Sequence, residues 1–398
     1  MKFILTTIIC LTIVNIAAAS DAVLWRQEFA CDPNSTCKPR EMVIDKLNDE
    51  AIILGTSKAQ GTTEANLWLW KINNNGTVVN NKSLGLLSEY NSFIAKTLFG
   101  IKATVKQDNG DIVRLKLDDA NTISLSVTNR NMQSRTVKLN TPARKLPGTL
   151  ILHDMVSCQN DNLLFVGQDG KDGIVMRADM QGNVIWEKVF DHGQVDILSS
   201  TYTANGTDFY VVGLAASTSG EMSFANAATI CLLRYDENGE LKTSDFFEGG
   251  LAPWPTSLPK VIAFSSGEVL VVYDKSKDVK TIELYAKAYT KELTPLWEKQ
   301  ILQTQENSPP APFDICVAPE DHFVLASKVN FRDLRVYEYK TDGTILQAIE
   351  LEGEIGAGGI YIDYMDGKIL VACTSKLKEN EKEAKIKLLA LKPYKKGN

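Results

Sequence analysis

The sequence predicts an all-β fold: a seven-bladed β-propeller of four-stranded blades, closed by an N-terminal strand that completes the last blade. Three observations predict it. A strand–turn–strand pattern recurs with a period of about 53 residues. An apolar run of strand character precedes each copy. The segment after the leader matches the one strand missing from the final copy.

The leader comes first in the chain. Lys2 gives a short basic start, Phe3 to Ile16 form an apolar stretch, and Ala17, Ala18 and Ala19 supply the small residues that a signal peptidase needs. Residues 1–19 therefore read as a secretory signal and 20–398 as one propeller domain. The expected location is extracellular, or periplasmic in a Gram-negative host. Cys10 has no lipobox around it, and no later run approaches the length of a membrane span, so no membrane insertion is expected. The formal net charge is −6, from 43 basic and 49 acidic residues. That balance gives no electrostatic reason to expect nucleic acid as a partner. A monomer that meets an extracellular protein or a small molecule is the expected state.

The strand LWRQEF (24–29) opens the mature chain. The copies of the repeat then follow at LWLWKINNNGTVV (67–79), ISLSVTNRNMQSRTVKL (123–139), IVMRADMQGNVIWEKVF (174–190), ICLLRYDENGELK (230–242), LYAKAYTKELTPLWEKQI (284–301) and LRVYEYKTDGTIL (334–346). Their turns align at Gly76, Asn131, Gly182, Gly239, Leu293 and Gly343, and the seventh turn falls at the chain end. Asp-Gly and Asn-Gly pairs suit tight hairpins because they accept positive φ angles. Upstream of the turns lie AIILGTS, LLFVGQD, FYVVGLA, EVLVVYD, HFVLASK and KILVACT. Such continuous runs belong in strands covered on both faces, as the middle strands of blades are. Trp25, Trp186 and Trp297 fall in register and read as packing anchors between blades. The charged stretch KLKENEKEAKIK reads as an exposed hairpin.

In rhythm, RADMQGNVIWEKVF and LRYDENGEL followed by GTDFYVVGLAASTSG resemble the propeller repeats of secreted bacterial proteins. The Asp-turn-Gly-Trp element, clean at Asp179, Gly182 and Trp186, resembles the blade repeat of proteins related to pyrroloquinoline-quinone dehydrogenases. The resemblance implies the fold, not an activity. Leu293 replaces the turn glycine in one copy, and the copies turning at Gly76, Gly239 and Gly343 lack the tryptophan.

Cys31 and Cys37 bracket a short polar loop, CDPNSTC, and are expected to form a disulfide; Cys158, Cys231, Cys316 and Cys373 sit in apolar runs and read as buried thiols. Four sequons, at Asn34, Asn75, Asn81 and Asn205, could carry N-glycans in a eukaryotic host.

Chemistry is sparse. There is no HExxH, GxSxG, P-loop or EF-hand loop. His192, in FDHGQVD, falls on a loop expected at the channel mouth, and Trp254, between Pro253 and Pro255, falls on a rim connection. Both are candidate contact residues. Asp154, Asp196 and Asp314 lie near innermost strands, where a ring could gather them around a calcium ion; solvated or amide-binding acids are the plainer reading. Arg144, Lys145 and Lys260 would be the cations of a quinone site, but no specific pattern accompanies them. No cofactor is predicted. An extracellular interaction or ligand-binding propeller is the expected function, and a channel-centred hydrolase or oxidoreductase, calcium- or quinone-dependent, is the alternative.

Overall fold

Strand-forming runs ended by turn residues build seven antiparallel four-stranded sheets in the computed structural model. It describes residues 19–31, 35–46, 48–86, 104–107, 109–119, 122–141, 150–192, 195–216, 227–251, 258–275, 281–305, 313–329, 332–353, 355–356, 358–375 and 384–394. A short helix, Ala19–Ala22, leads into β1 (Val23–Phe29). Blade 1 holds β2 (Ser35–Asp45), β3 (Glu50–Ala59), β4 (Asn66–Asn73) and β5 (Val78–Leu86). Blade 2 holds β6 (Thr104–Lys106), β7 (Ile112–Asp119), β8 (Thr122–Thr128) and β9 (Ser134–Lys138). Blade 3 follows with β10 (Leu150–Ser157), β11 (Leu163–Asp169), β12 (Asp172–Ala178) and β13 (Val184–Phe190). Blade 4 has β14 (Val195–Tyr202), β15 (Phe209–Ala216), β16 (Ala227–Tyr235) and β17 (Leu241–Leu251). Blade 5 has β18 (Lys260–Ala263), β19 (Val269–Asp274), β20 (Thr281–Tyr289) and β21 (Pro295–Gln305). Blade 6 has β22 (Phe313–Ala318), β23 (His322–Val329), β24 (Asp333–Tyr339) and β25 (Ile345–Leu351). The last blade takes β26 (Tyr361–Met365), β27 (Lys368–Thr374) and β28 (Ile386–Leu391), and β1 pairs with β28 as its fourth strand.

The first strand of each blade touches the first strand of the next all the way round, so these seven strands line the channel. Seven buried apolar clusters fill the seams, one between each pair of neighbouring blades. The second and third strands together supply most of this core; β19, for instance, is buried at every residue. The innermost strands β2, β10 and β14 each carry one extra residue, Arg40, His153 and Ser199, where the register to the next strand shifts. Such bulges bend a strand and re-aim its side chains.

The outer hairpins explain why the turn residues recur. One side-chain oxygen of Asn73, Asn129, Asp179 and Asp236 accepts the backbone N–H groups two and four residues ahead, at 2.8–3.1 Å. The next corner residue then takes a positive φ: Gly76, Gly182, Gly239 and Gly343, with Leu293 at φ 63°. In blade 2 that residue is Met132, φ 63°, not Asn131. The asparagine drew the alignment one residue early because it is the common left-handed residue, but Asn129 sets the hydrogen-bond frame.

The tryptophans join blades. The Trp25 indole N–H donates to Asn74 O at 3.2 Å and Trp186 donates to Glu237 O at 2.9 Å, each acceptor lying in the outer turn of the following blade. A Cβ on Gly76, Gly239 or Gly343 would stand within 3.1 Å of the ring of Trp25, Trp186 or Trp297, so the glycine makes room for the indole of the blade before it. Three of the turns without a tryptophan of their own, at Gly76, Gly239 and Gly343, thus receive one, whereas the turn at Met132 receives the Lys82 ammonium on its carbonyl.

Cys31 and Cys37 form the disulfide, which links the end of β1 to the start of β2. Cys158, Cys231, Cys316 and Cys373 are buried free thiols, and burial pushes the Cys158 and Cys231 thiols up to about 12. Most of KLKENEKEAKIK lies outside the described residues, as do Asn34, Arg144, Lys145 and Trp254. Among the described residues no helix is long and apolar enough to cross a membrane.

Candidate binding surface at the channel mouth

Because each blade runs from the channel outward, every new blade begins on the same face of the ring, here called the entry face. The turns between second and third strands lie there too. The start of β2, the ends of β3 and β23 and the connection from β25 to β26 therefore share one rim.

Matching the blades on their outer turns places Glu41, Asp154, Ser200, Lys260, Asp314 and Tyr361 at one level of the inner ring, each opposite an equivalent residue of the second strand. This level stitches blades together. Asp154 accepts its neighbour Met155 N–H at 2.9 Å and, from the next blade, Thr201 N–H at 2.8 Å. Asp314 repeats the device, accepting Ile362 N–H of blade 7 at 2.9 Å, while its other oxygen pairs with the Lys260 ammonium at 2.5 Å. A carboxylate that takes up a neighbour's backbone N–H satisfies a donor that the bend of the inner strand would otherwise leave buried and unmet. Asp196 is fully buried in blade 4, where it accepts His192 N–H at 2.8 Å. The three acids thus stand in blades 3, 4 and 6, engaged with N–H groups or Lys260. Among the described residues no group of three or more His, Cys, Asp or Glu is arranged to hold a metal ion.

His192 lies on the entry face but away from the channel. Its ring stacks at 4.2 Å on Phe246, in the outermost strand of blade 4, and lies near-parallel to Phe190 at the end of the outermost strand of blade 3. His192 and Phe246 are exposed, so the pair forms an aromatic ledge over the seam between these blades.

The entry rim of blades 1, 6 and 7 carries cations that the sequence did not single out. In the β2–β3 hairpin Lys38 pairs with Thr56 and Thr36 with Lys58, which puts both lysines on one face; directly opposed strand residues share a face, and the period is two. Arg40, on the bulge, joins them by donating Nε–H to Thr56 Oγ1 at 3.1 Å. From blade 6, Lys328 donates to Gly356 O at 2.8 Å in the connection to blade 7. Burial pushes the Lys38 ammonium below its usual range, and repulsion from Arg40 and Lys58 pushes the same way. Burial lowers Lys328 as well; the Cys373 thiol opposes this, and Lys38 adds to it. Deeper in, burial raises the Tyr361 phenol, Arg40 draws it back, and Glu41 and Asp314 raise it further. The acids therefore serve the inner level, whereas the charged groups that act on Lys38 are cations. Beside Lys58, a cleft of about 470 Å³ is lined by Ser57, Ala59, Gly61, Thr62, Thr63, Glu64 and Asn66.

These features define a closed seven-bladed β-propeller with a charged inner ring and a cationic sector on its entry rim. No protein-family model and no curated protein matches the sequence. Solved structures match in fold. A chain of the Drosophila plexin A complex with semaphorin 1b superposes with a TM-score of 0.52 at 10% identity, covering 93% of this chain and 87% of that one. The N-terminal part of BBS1, solved with ARL6DN, gives 0.50 at 11% identity, covering 93% and 96%. The WD40 domain of Toxoplasma gondii coronin gives 0.49 at 12% identity, over 96% and 89%. Identities this low establish the shared ring alone.

Proposed function

We propose that the chain is a secreted binding module that holds an extracellular ligand on the entry face of its propeller. The observation that carries this reading is the cationic sector: Lys38 is half-buried on a face it shares with Lys58 and Arg40, and both of these charged neighbours repel it. A ring that spends stability on such an arrangement gains it back when an external group supplies the missing negative charge. The rigid seams and the variable rim connections support the same reading, since a fixed scaffold positions loops for recognition. The plexin A structure similar to this chain was solved in complex with another protein, semaphorin 1b. Secretion follows from the leader, with Ser20 as the first mature residue, and Asn75, Asn81 and Asn205 are exposed and so open to glycan transfer.

The test uses labelled mature protein on immobilised extracellular material from its host, with one charge-reversed variant on each face. Lys38→Glu with Lys58→Glu should lower the retained fraction at least tenfold, while Lys340→Glu, in the outer turn of blade 6 on the opposite face, should leave it unchanged. Equal retention of both variants would overturn an entry-face function.

A further inference from the structure

The sequence contains 49 acidic against 43 basic residues, so a cationic patch on its surface runs against the field of the whole molecule. The placement of this one is built by three separate pieces of fold. Hairpin register brings Lys38 and Lys58 to one face although twenty positions separate them. The inner-strand bulge turns Arg40 toward the same side, where Thr56 Oγ1 holds its Nε–H. The ring then brings up Lys328 from blade 6, whose ammonium is fixed by Gly356 O at 2.8 Å. Gly356 is held in turn by donating its N–H to Thr374 O at 2.8 Å, and a side chain at this glycine would put its Cβ 2.4 Å from Ser375 O. Gly356 thus sits tight against blade 7 while its carbonyl holds Lys328. Two hydroxyls of this region, Ser327 Oγ and Thr374 Oγ1, are buried without a hydrogen-bond partner.

Cationic side chains gathered on one face of a hairpin have an anion as their chemical complement. We infer that the entry rim between blades 1, 6 and 7 is a binding site for a tetrahedral oxyanion, a phosphate or sulfate group of the ligand, held by Lys38, Lys58 and Arg40 with Lys328 behind them. Arg40 offers the planar fork suited to such oxygens, and the lysines offer point charges that tolerate several orientations. The low-dielectric floor at the channel mouth strengthens these contacts relative to open solvent. A carboxylate carries one charge on two oxygens, so it offers this cationic face less charge and fewer acceptors than a phosphate or sulfate group does. This inference deepens the binding reading above and has a separate test.

Isothermal titration calorimetry of the mature chain, with its disulfide intact, uses inorganic pyrophosphate, phosphate, sulfate and acetate as probes at low ionic strength. Pyrophosphate or sulfate should bind saturably, and the stronger of the two identifies the source of the oxyanion. Acetate should bind at least tenfold more weakly. Lys38→Met with Lys58→Met should weaken the anion at least tenfold, while Lys138→Met, on the exposed outer strand β9, should bind as the parent does. The double variant should also melt higher than the parent without anion at low salt, because it removes two mutually repelling charges; this shows that lost binding is not lost folding. No saturable heat with any tetrahedral anion, or equal binding by the parent and the double variant, overturns the site. Should that happen while the charge-reversed pair still loses retention on extracellular material, the binding-module reading stands and only the oxyanion assignment falls.

Discussion

At the scale of single residues, the ionised groups fall into those that tie blades together and those that do not. Asp208 belongs to the first kind. It receives Arg234 Nη2 at 2.8 Å and Asn205 Nδ2 at 2.9 Å within blade 4, and Lys291 Nζ of blade 5 at 2.7 Å. Burial alone would push its carboxyl up, but the hydrogen bonds from Lys291, Asn205 and Arg234 outweigh it and hold the group down at about 2. A carboxyl depressed in the folded state contributes stability above its unfolded value of about 3.9, and that contribution fades as pH falls through about 2. Chemical denaturation of Asp208→Asn should therefore show lower stability than the parent at neutral pH and a shallower loss between pH 4 and 2. Parallel pH curves for the two proteins would contradict the assignment. Lys38 and Lys58 belong to the second kind, and they were not legible in the sequence. STCKPRE and GTSKAQ read as ordinary alternating strands, and only the pairing of Lys38 with Thr56 shows that their cations share a face. Asp154 and Asp314 were legible as acids near innermost strands, yet nothing in the linear sequence distinguishes an ion ligand from a stitch to the next blade's N–H. His192 was expected at the channel mouth, but it stacks instead on Phe246, a partner more than fifty positions away in the outermost strand of blade 4.

At the scale of elements, the outer hairpin and the preceding blade's last strand form one unit. Trp186 lies over Gly239 and donates to Glu237 O, which also accepts Arg177 Nη1 at 2.7 Å. Trp186→Phe keeps most of the packing and loses one hydrogen bond, so it should cost about 1 kcal/mol in urea unfolding. Gly239→Ala should cost more, about 2 kcal/mol, since its Cβ would lie 2.7 Å from the indole and its φ is 76°. If the Trp186→Phe and Gly239→Ala losses simply add in the double variant, the two residues are not coupled and the unit does not exist. The repeat was legible because strand alternation and turn chemistry are local. The recipient of each indole was not, because it lies in the next blade, and the absence of tryptophan from the recipient copies looked like degeneracy of the repeat.

At the scale of the molecule, stability rests on closure. Blade 7 has three strands from the C-terminal end of the chain and one from the N-terminal end. Lys392 N–H donates to Ala22 O at 2.8 Å, so the clasp extends past the paired strands. Ala22 itself is buried in the seam between blades 6 and 7, and Phe29 in the seam between blades 7 and 1. Deleting residues 20–30 should therefore expose β28 as an apolar edge, broaden the thermal transition and lower its midpoint by more than any point variant above. A deletion protein that melts as sharply and as high as the parent would show that the clasp is dispensable.

The clasp also fixes an order of events. Strand β1 is the first strand of the propeller to leave the ribosome, and its partner β28 is the last. At about 5–20 residues per second, the wait between them is on the order of 20 to 70 seconds. Throughout that interval blades 1 to 6 can form in sequence from local hairpins, but β1 has nothing to pair with and the seam at blade 7 stays open. The contact of longest range is made last, and it turns an open arc into a ring. A growing chain therefore cannot trap itself in a closed ring with too few blades, because the segment that seals the seventh blade is made only after the other six.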